Sequence, residues 1–472
     1  MNGLAELDGI ALAALIAKGE VSASEVVEAS IERAERLNPV LHAVVHPYYN
    51  LAREQVLRGL PKGPLSGVPM LLKNTGFEAE GMLLSTGSEL HRHTVSTRDS
   101  TITARYKAAG MVIIGRSNTP EFALSFTTEP EAFGPTHNPW DNTRTPGGSS
   151  GGSTAAVASG IVPLSNSSDG AGSTRLPASH CGVFGLKPSR LVNPVGPIAA
   201  EVLGGMSTPH AVSRSVRDNA AMLDVTSGAD LGDAWASPAR PGTYLAALDA
   251  PLPRLKIAML LKPPLGSEID AEVLEQVRAV ARLLESLGHH VIEIDDAGYD
   301  AENLKTAWRI VAGVGIGLGV AGGDPQSPNL AKLEHVNREW AREGIATPAT
   351  RYAWAIGQVQ ATSRAMGRFF AQHDIMLTPS AAEPAPKLGK LAGKGKDVDT
   401  FYDLFWSHSP FTAVFNSSGC PAMSVPLGMS AGGLPIGVHF GAGFGKDALL
   451  LQLAAELERA APWAIRRPPI FG

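Results

Sequence analysis

The apolar positions of this chain change period several times, and each change marks an element. Ser22-Ala23-Ser24-Glu25 has the spacing of a capping box, and Val27, Ile31, Ala34 and Leu37 then recur at helical intervals. This predicts an amphipathic surface helix that stops at Asn38-Pro39. Met111-Val112-Ile113-Ile114 is instead a continuous apolar run ending in Gly115, the pattern of a strand buried on both faces. Leu255 to Leu261 reads as a strand, Val273 to Leu287 as an amphipathic helix closed by Gly288, and His290 to Ile294 as a second strand. A strand-helix-strand unit predicts an α/β architecture with a mostly parallel or mixed sheet.

Two further stretches break these periods. Ile310 to Val320 is strongly apolar, carries glycines at 313, 315, 317 and 319, and falls short of the roughly 20 residues a membrane helix needs. It reads as a tightly packed core helix or a segment on the substrate side. Pro379 to Val398, rich in Pro, Gly, Ala and Lys, reads as a long exposed loop, and the aromatics Phe401, Tyr402, Phe405 and Trp406 that follow favour a mobile wall over an active site.

Composition narrows the class. At 472 residues, with 44% hydrophobic and 18% charged residues, the chain can bury a large core. Its formal net charge of −5 supplies no basic field for nucleic acid or anionic lipid. The two cysteines, Cys181 and Cys420, make no disulfide framework, and the acidic start at Glu6 and Asp8 is unlike a secretion signal, so a cytoplasmic location is expected.

The candidate chemistry lies in three polar segments: Lys73 at the end of Gly67-Val68-Pro69-Met70-Leu71-Leu72, the run Gly147-Gly148-Ser149-Ser150-Gly151-Gly152-Ser153, and Asp169-Gly170-Ala171-Gly172-Ser173-Thr174-Arg175. Taken alone, the Gly/Ser run has the composition of a flexible linker. However, it leads into Thr154 to Val162, an apolar helix-to-strand pattern that continues a fold. The run also matches G-x-S-x-G with Ser149 central, but that elbow needs a preceding strand, and Asn138 to Pro146 carries two prolines and turn-forming side chains. A serine hydroxyl needs a proton acceptor, and a lysine desolvated behind Met70-Leu71-Leu72 can be neutral enough to accept. Gly170-Ala171-Gly172 offers successive backbone N–H groups suited to an oxyanion, with Asp169 and Arg175 bracing the turn. His42 with His46, and His91 with His93, lack a metal-ligand pattern, and Cys181 reads as a buried structural thiol.

The three segments, in this order and spacing, resemble the amidase signature family. Gly67-Val68-Pro69, Asn118-Thr119-Pro120-Glu121-Phe122, Cys181 to Pro188, Asp374 to Pro379, Gly419-Cys420-Pro421-Ala422 and Gly433 to Gly437 match it as well. The resemblance implies one domain over residues 1–472, with a large mixed β-sheet core covered by α-helices on both faces. It implies Ser173 as nucleophile, Ser149 as a bridging serine after a cis peptide bond, Lys73 as base, and Gly170, Ala171, Gly172 and Ser173 around the oxyanion. Phe122, Leu124, Ser125 and Gly148 are the implied substrate-binding residues, with no cofactor and no metal. Two positions depart from the family pattern. Ala171 stands where a glycine is common and resists positive φ, and Asn74 replaces an aspartate beside Lys73, removing a charge that would favour the ammonium.

Thr127 to Gly134, Asn138-Pro139-Trp140, Leu176 to Ser179, Ala461-Pro462-Trp463 and Arg466-Arg467-Pro468 are most similar to the nylon-oligomer branch of the family. That implies hydrolysis of an unactivated aliphatic amide, linear or cyclic, with aryl acylamides and carbamates open. The expected partner is a small-molecule amide, with no nucleic acid and no membrane, and a homodimer is compatible. The alternatives are the glutaminase component of a glutamine-dependent amidotransferase, releasing ammonia to a partner protein, and a binding protein with a dead site.

Overall fold

The computed structural model describes residues 3–235, 237–238 and 242–472. Eleven strands are found among them: β1 (Val44–Pro47), β2 (Pro69–Lys73), β3 (Val112–Ser117), β4 (Leu164–Asp169), β5 (Phe184–Lys187), β6 (Thr208–Ser213), β7 (Lys256–Leu260), β8 (His290–Ile294), β9 (Ile375–Pro379), β10 (Ala422–Met429) and β11 (Pro435–Ala442). Eight form one mixed sheet in the order β4-β6-β5-β10-β11-β9-β7-β8, and β1-β3-β2 form a smaller one. The predicted strand-helix-strand unit is β7, the helix Ala271–Ser286 and β8, paired parallel. Parallel pairing in the large sheet is confined to β9-β7-β8, and its other neighbours run antiparallel.

Alternation along the central strands divides the core. Ile257, Met259, Ile375, Leu377, Val438 and Phe440 pack with the helices Ala271–Ser286 and Asp447–Ala460. Ala258, Leu260, Met376 and Ala422 point the other way, into a cluster built on the helices Ala301–Ala321, His335–Ile345 and Ala349–Phe370. A fully buried Val, Leu or Ile stabilises by about 1.5–3 kcal/mol, so both faces hold the sheet in place.

The two sheets meet at β2 and β4, and the seam explains a strand with little apolar character. Leu164-Ser165-Asn166-Ser167-Ser168-Asp169 is almost entirely buried, although it is polar. Its side chains replace the missing ladder: Ser165 Oγ donates to Leu71 O at 3.0 Å, and Asn166 Oδ1 accepts from Lys73 N at 2.6 Å. The ends of β2 and β4 are thereby fixed side by side.

Four sequence expectations are corrected. The first surface helix runs Ala23–Leu41 through Pro39, which falls in the last turn and interrupts little of the helical bonding. The strand expected to end at Gly115 continues to Ser117, since Gly115 passes close under His46 O of β1. The helix that holds the apolar run 310–320 is longer than that stretch suggested, the 21-residue Ala301–Ala321, and it packs into the core through Val311, Ala312, Ile316 and Val320 as the core-helix reading expected. The segment 379–398 is not an exposed loop throughout: Ser380, Ala381, Ala382 and Ala385 are buried, because 385–388 bonds to 143–145 through Arg144 Nη1 to Ala385 O (2.6 Å), Thr145 N to Pro386 O (3.0 Å) and Leu388 N to Thr143 O (3.2 Å).

Candidate active site

Lys73 ends β2 with its side chain wholly buried at the seam. Its Nζ lies 2.7 Å from Ser149 Oγ, 2.9 Å from Ser150 Oγ and 3.0 Å from Ser168 Oγ. No carboxylate pairs with it among the described residues, and burial brings its pKa down to about 7, opposed only in part by Asp169. Asn74 supports the neighbouring chain instead, donating from Nδ2 to Ser85 Oγ at 2.6 Å and accepting Ser85 N at 3.0 Å.

Ser149 follows a cis peptide bond from Gly148 and precedes the helix Gly151–Ala158. Close packing explains the glycines of this turn: a Cβ on Gly148 would lie 2.7 Å from Ser125 O, and one on Gly152 would lie 2.4 Å from Asn118 N. Thr119 Oγ1 donates to Ser149 O at 3.0 Å and Thr128 Oγ1 to Gly147 O at 2.9 Å, so hydroxyls satisfy the carbonyls of a buried turn. Ser150 N donates to Ser173 O at 3.1 Å, which joins this turn to the one after β4.

The turn 170–173 is held from outside. Trp308 Nε1 donates to Gly170 O at 3.1 Å, and Thr412 Oγ1 donates to Ala171 O at 2.5 Å. With their carbonyls bound, the N–H groups of Gly170, Ala171, Gly172 and Ser173 donate no hydrogen bond to any described residue. The positive φ expected to trouble Ala171 falls on Gly172, at 144°, so alanine is accommodated. Below the turn, Asp169 and Arg175 form a fully buried bidentate pair at 2.8 and 2.9 Å, and Asn416 Nδ2 donates to Asp169 Oδ1 at 2.9 Å. The Arg175 guanidinium holds the Asp169 carboxyl well below the usual carboxylate range despite burial.

Ser149, Ser168, Gly170, Ala171 and Ser173 lie along one cavity of about 710 Å³. Its other walls are largely apolar, among them Phe122, Leu124, Trp308, Ile316 and Phe405. Of the expected substrate-binding residues, Phe122 and Leu124 line it and Ser125 and Gly148 do not. Ser125 faces a separate cavity of about 280 Å³, and Gly148 is packed beneath Ser125 and Thr127. The loop 379–398 is also absent from the site's wall, whereas Phe405 reaches it. Sequence reading missed Ser150 and Ser168 as partners of Lys73, and Trp308 as a support of the turn. The signal for Ser168 was a polar run in a strand position and that for Ser150 its place in the Gly/Ser run ahead of a helix; Trp308 had none.

His46 Nε2 lies 2.9 Å from Ser85 Oγ, the Cys181 thiol is buried with its pKa pushed well up, and no group of three metal-binding side chains occurs among the described residues.

A buried lysine held among serine hydroxyls stands beside a largely apolar cavity, and comparison with known proteins gives the class of the chain. The model of the Amidase family matches residues 25–451, and the chain belongs to that family. It is an amidase signature enzyme, a hydrolase of amide bonds. The 6-aminohexanoate-cyclic-dimer hydrolase of Paenarthrobacter ureafaciens is 35% identical over 478 residues, covering 98% of this chain and 97% of that protein. The structure of 6-aminohexanoate cyclic dimer hydrolase complexed with substrate superposes with a TM-score of 0.92 at 33% identity, covering 99% of this chain and all of the other (100%). A bacterial aryl acylamidase of the amidase signature family superposes at 0.87 with 27% identity, covering 97% of each chain.

Proposed function

We propose that this enzyme hydrolyses unactivated amides of small linear or cyclic aliphatic substrates through an acyl-enzyme on Ser173, with Ser149 as relay and Lys73 as base. The observation that carries this reading is the uncompensated Lys73 amine, with a pKa brought to about 7, held 2.7 Å from Ser149 at the wall of the cavity that contains Ser173. Hydrogen-bond accounting favours the direction of proton flow. Ser150 Oγ donates to Ser168 O at 3.3 Å and so meets Lys73 as an acceptor. Ser149 Oγ has no other acceptor among the described residues, which leaves its proton for the lone pair of a neutral amine.

In the forward step Ser173 Oγ attacks the carbonyl carbon, its proton passes to Ser149 and the proton of Ser149 passes to Lys73. The developing oxyanion takes the unused N–H groups of the turn 170–173. Collapse breaks the C–N bond, and the proton returns through Ser149 to the departing amine. Water then repeats the sequence on the ester. The likeness to the cyclic-dimer hydrolases supports an aliphatic ω-amino acyl unit, and the likeness to an aryl acylamidase keeps anilides within reach.

The test is intact-protein mass spectrometry with a panel of linear amides, cyclic amides, anilides, carbamates and glutamine. The expected result is an acyl adduct on Ser173 that is lost in Ser173→Ala, with turnover reduced roughly 10²- to 10⁴-fold in Ser149→Ala and Lys73→Ala. Turnover of glutamine alone would favour the amidotransferase alternative, and full activity of Ser173→Ala would end the proposal.

A further inference from the structure

The catalytic cavity contains one charged side chain among its described lining residues, and it is an acid, Glu201. It stands on an irregular segment between β5 and β6 that closes the cavity's open side, where Ile198 and Val202 are 67% and 42% exposed although both line the cavity. This segment is seated directly on the oxyanion turn: Leu203 Cδ1 would lie 2.9 Å from a Cβ on Gly170. Glu201 therefore belongs to the mouth of the same chamber that holds Ser173.

Beyond the segment lies a second cavity of about 640 Å³, and Glu201, Pro194, Val195 and Ser207 line both. Asp233 and the aromatics Trp235 and Tyr352 contribute to the second chamber, a set of groups favourable to a cation. Arg190 is the opposing charge there. Its guanidinium is engaged by backbone carbonyls, Nε with Gly205 O at 2.6 Å and Nη2 with Ser417 O at 2.7 Å and Asn416 O at 3.1 Å. Glu201 makes no hydrogen bond or ion pair with any described residue, but its Oε2 and the Arg190 guanidinium flank the same point beside Gly205 and its charge favours the Arg190 cation, so the carboxylate that faces the substrate path is partly offset by Arg190.

We infer that Glu201 is a specificity-determining residue that recognises a protonated primary amine on the end of the substrate remote from the scissile carbonyl and disfavours a carboxylate there. This rests on the proposed reading of the cavity as the amide-binding site. An otherwise apolar chamber accepts the methylene chain, and the charge at its mouth distinguishes the two chain ends. The selected substrates are ω-amino acyl amides.

The experiment is calorimetric binding in the Ser173→Ala background, where turnover does not intervene. The probes are 6-aminohexanamide, uncharged heptanamide and adipamic acid. With Glu201 present, 6-aminohexanamide should bind more tightly than adipamic acid by roughly tenfold or more, and added salt should shrink the ratio. Glu201→Gln should bring the ratio near one, and Glu201→Lys should invert it. A ratio unchanged across the three proteins, or all three affinities falling together, overturns the inference. If the ordering holds while the protein with Ser173 hydrolyses none of the amides, the subsite stands and the acyl-transfer reading fails. If hydrolysis occurs with no ordering, the subsite alone fails.

Discussion

At the scale of single residues the site depends on where charge is compensated and where it is not. Two cations lie near β4: Arg175 is paired with Asp169 in full burial, and Lys73 is left with hydroxyls. Because Asp169 already answers Arg175, its field raises the lysine's pKa only in part, and desolvation decides the outcome. Removing one member of the buried pair should therefore be costly. Arg175→Met is expected to lower unfolding stability by about 3–5 kcal/mol in denaturant titrations, and a loss below about 1 kcal/mol would show that Asp169 does not need its partner. The Ser150 contact gives a milder case. Ser150→Ala keeps Ser149 and removes one acceptor from Lys73, so kcat should fall less than in Ser149→Ala, as steady-state rates will show.

At the scale of elements, the helix Ala301–Ala321 serves two neighbours with alternate glycines. A Cβ on Gly313 would meet Trp340 Cδ1 at 2.9 Å and one on Gly317 would meet Ile345 Cγ1 at 2.8 Å, whereas Gly315 and Gly319 face the cavity. Gly317→Val should destabilise the protein, and Gly319→Val should leave stability nearly unchanged while altering KM for bulky amides; thermal unfolding and kinetics separate the two. The sequence showed the four glycines and allowed both roles. It could not divide them, because the division depends on the rotation of the helix against its neighbours. The same limit applies to Ser125 and Gly148, which sit beside cavity residues in sequence and point away from the cavity. In contrast, Lys73, Ser149 and Ser173 were legible because each sits in a local setting whose chemistry is unusual: a lysine ending an apolar strand, and serines in glycine turns. Ser168 was hidden because a strand of Ser, Asn and Asp resembles an exposed one until its partner strand supplies the missing bonds.

At the scale of the whole molecule, Lys73 sits where two sheets are stitched by side chains, so folding itself creates the desolvated environment. Burial of lysines has a thermodynamic signature. Lys187, also fully buried, has its pKa brought down to about 7 from an ordinary 10.5. Between those values the unfolded chain holds a proton that the folded chain has released, so this group's contribution makes stability rise with pH across that window. Wild type should accordingly gain stability relative to Lys187→Met from pH 7 toward pH 10, by at most about 1.36 kcal/mol per pH unit, as urea titrations at several pH values will measure. A constant difference would mean that Lys187 remains protonated in the fold. For the catalytic claim, the most direct measurement is the pH dependence of the pre-steady-state acylation rate of Ser173. The predicted result is a rate that falls on the acid side with an apparent pKa of about 7, the value set by burial of Lys73. An acylation rate that stays level down to pH 5, or an identical acid limb in Lys73→Met, would contradict a neutral lysine as the base.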